Sequence, residues 1–345
     1  MKIIHCADIH LGSVLTSLPK ELADSRKAEV RVSFAKMADY ARDNGISVIL
    51  LSGDVFDKPT PASKDLNFFY DIVEKHPDID FLYLRGNHDL KKEPENYPNL
   101  KVFSEKWNSY EYGDVTVSGI ELCEGNSDSC YSTLTLDKSK KNIVMLHGQV
   151  GSEINLTKLR DKYIDYLALG HVHSFGDGEI DRRGKYAYCG CLEGRGFDET
   201  GEKGFVILDT DGVGISYEFH PFSQRVIEEH RVDISGTDSV YDVCKKVKDT
   251  VNLKENGIYR IVLTGETESD CSGIENDVKT FLASYCGHVS VKNGTTVRIL
   301  YEDYINDLSL RGELVRLVQS SDRTEEEKSI IVRYILKALS GEKPE

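Results

Sequence analysis

The chain reads as an α/β protein whose large first domain is followed by a smaller α/β unit and C-terminal helices. Three observations predict this. Apolar runs of strand length recur through the first half, segments with helical spacing separate them, and after about residue 175 the pattern changes to glycine-punctuated runs.

Residues 2–7 (KIIHCA) predict a buried strand that ends where Asp8 and His10 begin. Val30, Phe34, Met37, Ala38 and Ala41 share one helical face, which predicts a helix over 27–44 with Gly45 as its stop. ISVILLSG (46–53) is a second buried strand. Thr60-Pro61 offers a cap and first turn for a helix reaching about His76. DFLYLRG (80–86) is a third strand, and 115–121, 142–148 and 165–171 are further ones. YAYCGCLEG and KGFVILDTDG predict hairpins that close the sheet.

A composition shift near Pro221–Glu228 marks a boundary, so the expected domains are 1–222, 223–302 and 303–345. In the middle one, HRVDIS, IYRIVLTG and TVRILYE read as strands. Its helices are 239–252, with Val240, Cys244, Val247 and Val251 on one face, and 273–285, with Ile274, Val278, Phe281, Leu282 and Tyr285. In the tail, Thr324 and Glu327 form a capping box, Gly341 is a stop, and Ile330, Ile331, Tyr334, Ile335, Ala338 and Leu339 form an apolar stripe.

Composition narrows the class. With 39% hydrophobic and 29% charged residues in 345, this is an ordinary globular chain. The opening MKIIHCADIHLG has no long apolar core of a signal peptide, and no later run approaches a membrane span; a cytoplasmic location is the expectation. The eight cysteines form no CxxC pair and no zinc-finger spacing, which fits small apolar thiols in a reducing compartment. A net charge of −15 argues against holding nucleic acid on a broad basic surface. A polyanionic substrate must then be held by bound cations, by local arginines and lysines, or by a partner.

Five motifs carry the chemistry: ADIH (Asp8, His10), SGDVFD (Asp54, Asp57), GNHD (Asn87, His88), LHG (His147) and GHVH (His171, His173). Most follow a predicted apolar strand, so their side chains arrive at the carboxyl edge of a sheet, where α/β folds place ligands. Carboxylate, imidazole and amide-oxygen donors without thiolate suit manganese, iron, zinc or magnesium. Seven donors sharing one carboxylate supply four to each of two ions. Two ions about 3.5–4 Å apart clamp a phosphoryl group and activate water. His88, beside the asparagine, stands where a leaving oxygen needs stabilising. Arg85 and Arg195 are candidate phosphate contacts. His5, His76, His220, His230 and His288 lack such company and read as structural or surface residues.

The order DxH, GDxxD, GNHD, H, GHxH resembles the calcineurin-like metallophosphoesterase superfamily over roughly residues 1–220. The resemblance implies a four-layer α/β/β/α sandwich, a pair of sheets flanked by helices. It puts one metal on Asp8, His10, Asp54 and His173, and a second on Asp54, Asn87, His147 and His171, with Asp54 bridging and manganese the expected ion. His88 becomes the proton donor or transition-state stabiliser, and Asp57 the carboxylate that orients it.

ADIHLGS, GDVFDKPTP and CLEGRGFDETGEKGFVILD are similar to the DNA-repair nuclease branch, the SbcD and YhaO-type exonucleases. That narrower likeness implies a DNA substrate, a capping domain in the middle region and a homodimer. It also implies that the C-terminal helices bind an SbcC-like coiled-coil ATPase; the alternative is that their apolar stripe packs back on the capping domain. A phosphodiesterase or phosphatase for nucleotides or other small phosphate esters would use the same centre, and the strong acidity favours it.

Overall fold

The computed structural model describes residues 1–15, 18–89, 94–268, 271 and 273–340. Gly341, the expected helix stop, lies outside them. The chain forms two compact units. The first comprises Met1–Glu229, Lys254–Arg260 and Cys286–His288; the second comprises His230–Leu253, Ile261–Tyr285 and Val289–Glu345.

The first unit opens with β1 (Lys2–Cys6), α1 (Lys20–Asp43), β2 (Val48–Ser52), α2 (Ser63–Lys75), β3 (Asp80–Leu84) and β4 (Leu100–Val102). There follow β5 (Asn108–Tyr112), β6 (Val115–Gly119), α3 (Cys130–Thr133), β7 (Lys141–His147) and β8 (Tyr166–Gly170). It continues with β9 (Gly176–Glu179), β10 (Lys185–Tyr188), β11 (Gly204–Asp209) and β12 (Ser216–Pro221).

These strands make two six-stranded sheets, ordered β12-β11-β1-β2-β3-β4 and β5-β6-β7-β8-β10-β9. The central neighbours are parallel, β1 with β2 and β2 with β3 in the first sheet, β6, β7, β8 and β10 in the second. That is why the central runs read as continuously apolar: a parallel strand is covered on both faces.

Alternate residues of one strand serve two cores. Ile4, Ile49, Leu51 and Phe81 face the helices and pack with Phe34, Met37 and Ala38 of α1 and Phe69 and Val73 of α2. Ile3, Val48, Leu50 and Leu82 face the other sheet and meet Val117, Ile143, Met145 and Ala168. Each fully buried side chain of this size stabilises the fold by about 1.5–3 kcal/mol. The outer face of the second sheet packs Val144, Leu146, Leu167 and Leu169 against Tyr131, Leu134, Ile154 and Leu159. This fourth layer is thin, built from the single turn α3, a 3₁₀ turn at Leu156–Leu159 and loops.

Several details differ from expectation. Helix α1 begins at Lys20 rather than 27, because its buried face continues in charged form: Arg26 is 0% exposed and pairs with the equally buried Glu193 at 2.7 Å. Its end follows the expectation, with Gly45 at φ 67° just past the C-cap Asn44. Helix α2 starts at Ser63 with Ala62 at the cap position, so Thr60-Pro61 precedes the helix instead of opening it. YAYCGCLEG supplies only the second strand of a hairpin: β10 turns back on β9, the edge strand, and joins β8 in parallel on its other side. KGFVILDTDG does close a sheet, as β11 turning back into β12.

From residue 227 the elements are β13 (Ile227–Asp233), α4 (Val240–Thr250), β14 (Ile258–Thr264), β15 (Glu266–Thr267), α5 (Ile274–Leu282), β16 (His288–Asn293), β17 (Thr296–Val297), α6 (Leu310–Gln319) and α7 (Glu325–Ser340). Strands β13, β14 and β16 form one sheet. The expected strand TVRILYE is reduced to the two residues of β17, paired with β15. Helix α4 buries Val243, Cys244 and Val247, leaving Val240 42% exposed. The capping box of α7 is present in both directions: Glu327 N–H donates to Thr324 Oγ1 at 3.2 Å, and Thr324 N–H to Glu327 Oε2 at 3.0 Å. Its apolar stripe leaves Ile330, Tyr334 and Leu339 exposed. Among the described residues, no helix is long and apolar enough to cross a membrane.

Candidate metal centre

Strands β1, β2, β7 and β8 end at one edge; His147 is the last residue of β7, and the turns after the other three carry Asp8, Asp54 and His171. Tight turns force the backbone into a costly shape there. Asp8 and His10 both have φ 51°, Asp54 has φ 54° and His171 φ 97°, four of the six non-glycine residues with positive φ among those described. Such conformations persist where surrounding structure fixes them, and they concentrate at functional sites. Here hydrogen bonds hold them: Asp8 N–H donates to Gly53 O and His10 N–H to Asp54 O, each at 3.0 Å.

The glycines of the motifs make room. Gly53 has φ 95°, and a Cβ there would lie 2.1 Å from His147 Nδ1. A Cβ on Gly86 would lie 2.2 Å from Asp54 Oδ1. Neither position accepts a side chain without moving a candidate ligand.

The donors converge in two groups, Asp8 with His10 and His173, and Asp8 with Asp54 and His147, the donor atoms of each lying within 4.8 Å of one another. His10 Nε2 and His173 Nε2 face each other at 3.3 Å. Asp8 is common to both groups, and Asp54, a member of the second, also approaches the first, its Oδ2 3.9 Å from His10 Nε2 and 3.3 Å from His147 Nε2. Asn87 Oδ1 is 3.1 Å from His147 Nε2, and the His171 ring centroid is 5.5 Å from that of His147. All seven sequence-derived ligands therefore meet at one edge.

The tautomers fit a cation. His147 Nδ1 donates to Ser52 O at 2.9 Å and His173 Nδ1 donates to Glu199 Oε1 at 2.6 Å, so each turns an Nε2 lone pair inward. Imidazole lone pairs and carboxylates crowded behind strand ends, with no thiolate among them, are a donor set for divalent cations.

The charges say the same. Burial pushes the Asp8 carboxyl up to about 7, against the pull of His147 and His173. Burial would also raise Asp54, but its hydrogen bond to His147 and that ring's charge outweigh this and hold it at about 2. Burial lowers a histidine, yet Asp54 and Asp8 raise His147 to about 9. Burial and then the Arg195 charge take His10 down to about 3. Without ions, protons on His147 and Asp8 neutralise a pocket shaped for positive charge.

Two expected roles change. His88 Nδ1 is held by the backbone oxygen of Asp57 at 3.2 Å. The Asp57 carboxylate instead faces Arg195 Nη1 at 3.3 Å and His10 Nδ1 at 3.7 Å, so it does not orient His88. Neither candidate phosphate arginine is uncommitted. Arg85 binds both oxygens of Glu121 at 2.6 and 2.9 Å, and Arg195 grips Glu199.

The calcineurin-like phosphoesterase family profile matches residues 1–175. The chain belongs to that family. As a calcineurin-like phosphoesterase it is a dinuclear-metal enzyme in kind. It is 29% identical over 297 residues to the uncharacterized metallophosphoesterase YhaO of Bacillus subtilis (strain 168), covering 77% of this chain and 72% of that one. It is 24% identical over 369 residues to the DNA double-strand break repair protein Mre11 of Sulfolobus acidocaldarius, covering 97% and 94%. Among solved structures, a dimetal phosphatase from Danio rerio matches at 12% identity and TM-score 0.41, over 60% of this chain and 92% of that one.

Sequence reasoning missed three carboxylates of this phosphoesterase. Asp89, in the quoted GNHD, accepts from Phe56 N–H at 2.8 Å and Gly86 N–H at 2.9 Å, tying the GNHD turn to the GDVFD turn. Glu199 holds His173 and Glu121 holds Arg85. Asp89 and Glu199 each lie inside a quoted motif, GNHD and CLEGRGFDETGEKGFVILD, whereas Glu121 is a single glutamate after a strand and carried no signal.

Proposed function

We propose that this phosphoesterase is a metal-dependent DNA nuclease, an exonuclease that works with an SbcC-like coiled-coil ATPase in DNA repair. One observation carries the reading: similarity to an Mre11 protein runs along 97% of the chain, well past the phosphoesterase-matching residues 1–175. The exposed Ile330, Tyr334 and Leu339 of α7 support a protein partner at the C-terminus. A homodimer and manganese as the working ion belong to the same proposal.

When bound, the two ions would polarise the scissile phosphoryl group and activate the attacking water. Asp8, His10 and His173 would hold one, Asn87, His147 and His171 the other, and Asp54 both. The chain's own contribution centres on His88. With Nδ1–H fixed on the Asp57 carbonyl, its Nε2 is the atom offered to substrate, and in the doubly protonated ring that atom donates a proton to the departing oxygen.

The test is incubation of the purified chain with linear DNA and Mn²⁺, with and without a cognate ATPase. The proposal expects metal-dependent loss of nucleotides from the ends. Intact DNA under both conditions contradicts it.

A second reading has an observation of its own. A cleft of about 600 Å³ beside Asn87, His147 and His171 is lined by Glu105, Glu121 and Glu153 together with Arg85. Carboxylate walls suit a small phosphate ester with hydroxyl or amino donors better than a polyanionic strand. Fast turnover of nucleotides or other small esters, with DNA inert, would establish it.

A further inference from the structure

We propose that Glu199 is a positioning residue for His173, fixed by a strap over residues 193–203, and that it makes the ion on Asp8, His10 and His173 the more tightly held of the two. The inference rests on the metal-centre reading above and adds an order of affinity to it.

The chain of contacts starts at the ligand. A carboxylate only accepts, so the 2.6 Å contact of His173 Nδ1 with Glu199 Oε1 puts the proton on Nδ1 and the lone pair on Nε2. Glu199 is 4% exposed and cannot turn away. Arg195 Nε donates to its two oxygens at 3.0 and 3.1 Å, and Arg195 N–H to Oε2 at 2.8 Å. Lys203, 2% exposed, donates from Nζ to His173 O at 2.7 Å, which fixes the main chain of the same ligand.

The strap is itself anchored. Glu193 is 2% exposed and accepts from Arg26 Nη2 at 2.7 Å, from Ser33 Oγ at 2.6 Å and from Gln224 N–H at 2.6 Å. Arg26 and Ser33 belong to α1, so the helix holds the strap and the strap holds the ligand. Arg26 Nε alone of these atoms has no partner, and a buried network paired at its other links is rigid.

The other pole is built differently. His147 Nδ1 meets a neutral backbone carbonyl, Ser52 O, at 2.9 Å, and Asn87 is an exposed neutral amide. A charged acceptor behind an imidazole raises its basicity more than a carbonyl does, and loss of such a partner costs about 10–100-fold in metal affinity. The loose ion is therefore the one on the Asn87 side, where the cleft opens.

Calorimetric titration of the metal-stripped chain with Mn²⁺, with elemental analysis of the dialysed product, tests this. Wild type is expected to bind two equivalents of unequal affinity. Glu199→Gln is expected to weaken the tighter equivalent by about 10–100-fold and leave the other unchanged. Glu199→Asp, which keeps the charge, loses less, and Arg195→Lys weakens the same equivalent if the glutamine variant does not fold. Two equivalents of equal affinity in wild type, or variants that weaken both or neither, overturn the proposal. A wild type that binds no Mn²⁺ instead overturns the metal-centre reading beneath it.

Discussion

The two poles of the centre are each built on a pair of histidines but supported by different means. At the His173 pole, charged side chains from a loop far along the sequence back His173: Glu199, Arg195 and Lys203, with Arg26 and Glu193 behind them. At the His147 pole, support comes from the backbone, Ser52 O for His147 and the GNHD turn, organised by Asp89, for Asn87. The difference teaches that a ligand set alone does not describe a metal site. Side-chain support fixes a ligand's tautomer and charge together; backbone support fixes its direction and leaves more freedom at the mouth.

The largest expected effect comes from the residue that the proposal gives to both ions. Asp54→Ala removes the carboxylate near His10 and His147 alike, so elemental analysis should find neither ion retained and activity should fall to background. Retention of one ion would show that Asp54 serves a single pole. Next is His88→Ala, which removes no ligand and keeps the backbone N–H on Asp54 Oδ1: both ions stay, and turnover of a substrate with a poor leaving group falls by about 10²–10⁴-fold.

Proton release ranks third. In the ion-free centre Asp8 titrates at about 7 and His147 at about 9, both raised, so each carries a proton at pH 6 that an incoming cation must displace. Affinity should therefore rise with pH, by up to about tenfold per unit for each proton released, until the pH passes about 9. The ion-free fold runs the other way. A raised histidine contributes stability fully present below its ordinary value of 6.5 and lost as the pH climbs through about 9. Potentiometric titration with and without Mn²⁺, alongside thermal melts from pH 6 to 10, checks both signs.

Two smaller effects sharpen the contrast. Gly53→Ala places a methyl against His147 at a positive φ; strain alone should destabilise by about 1–3 kcal/mol, read as a lower melting temperature, and the weakened ion should be the one at the His147 pole. Asp57→Asn should cost least, under about tenfold in kcat, because His88 leans on the Asp57 carbonyl and not its carboxylate. A loss as large as that of His88→Ala would restore the carboxylate to the role first expected of it.

Much of this was legible in the chain. Asp8, Asp54, His147 and His171 stand at the ends of apolar strands, so the strand ends locate them, and the motifs supply the rest. The central strands were legible because parallel strands buried on both faces have no polar residue to break the run. What was hidden obeys different physics. The first turns of α1 are disguised by Arg26, a charged residue that is buried only because Glu193 neutralises it. Glu199 sits in a loop with no periodicity, and its partnership with His173 exists only in three dimensions. Whether Asp57 acts through its carboxylate or its carbonyl depends on a side-chain direction that spacing does not encode. Edge strands such as β5 and β12, half polar and short, carry too weak an alternation to stand out.

The most direct test of the account is anomalous diffraction from a crystal soaked in Mn²⁺. Two peaks about 3.5–4 Å apart are predicted, one on Asp8, His10 and His173, the other on Asn87, His147 and His171, with Asp54 between them. A single peak, or none with those side chains in place, would contradict it.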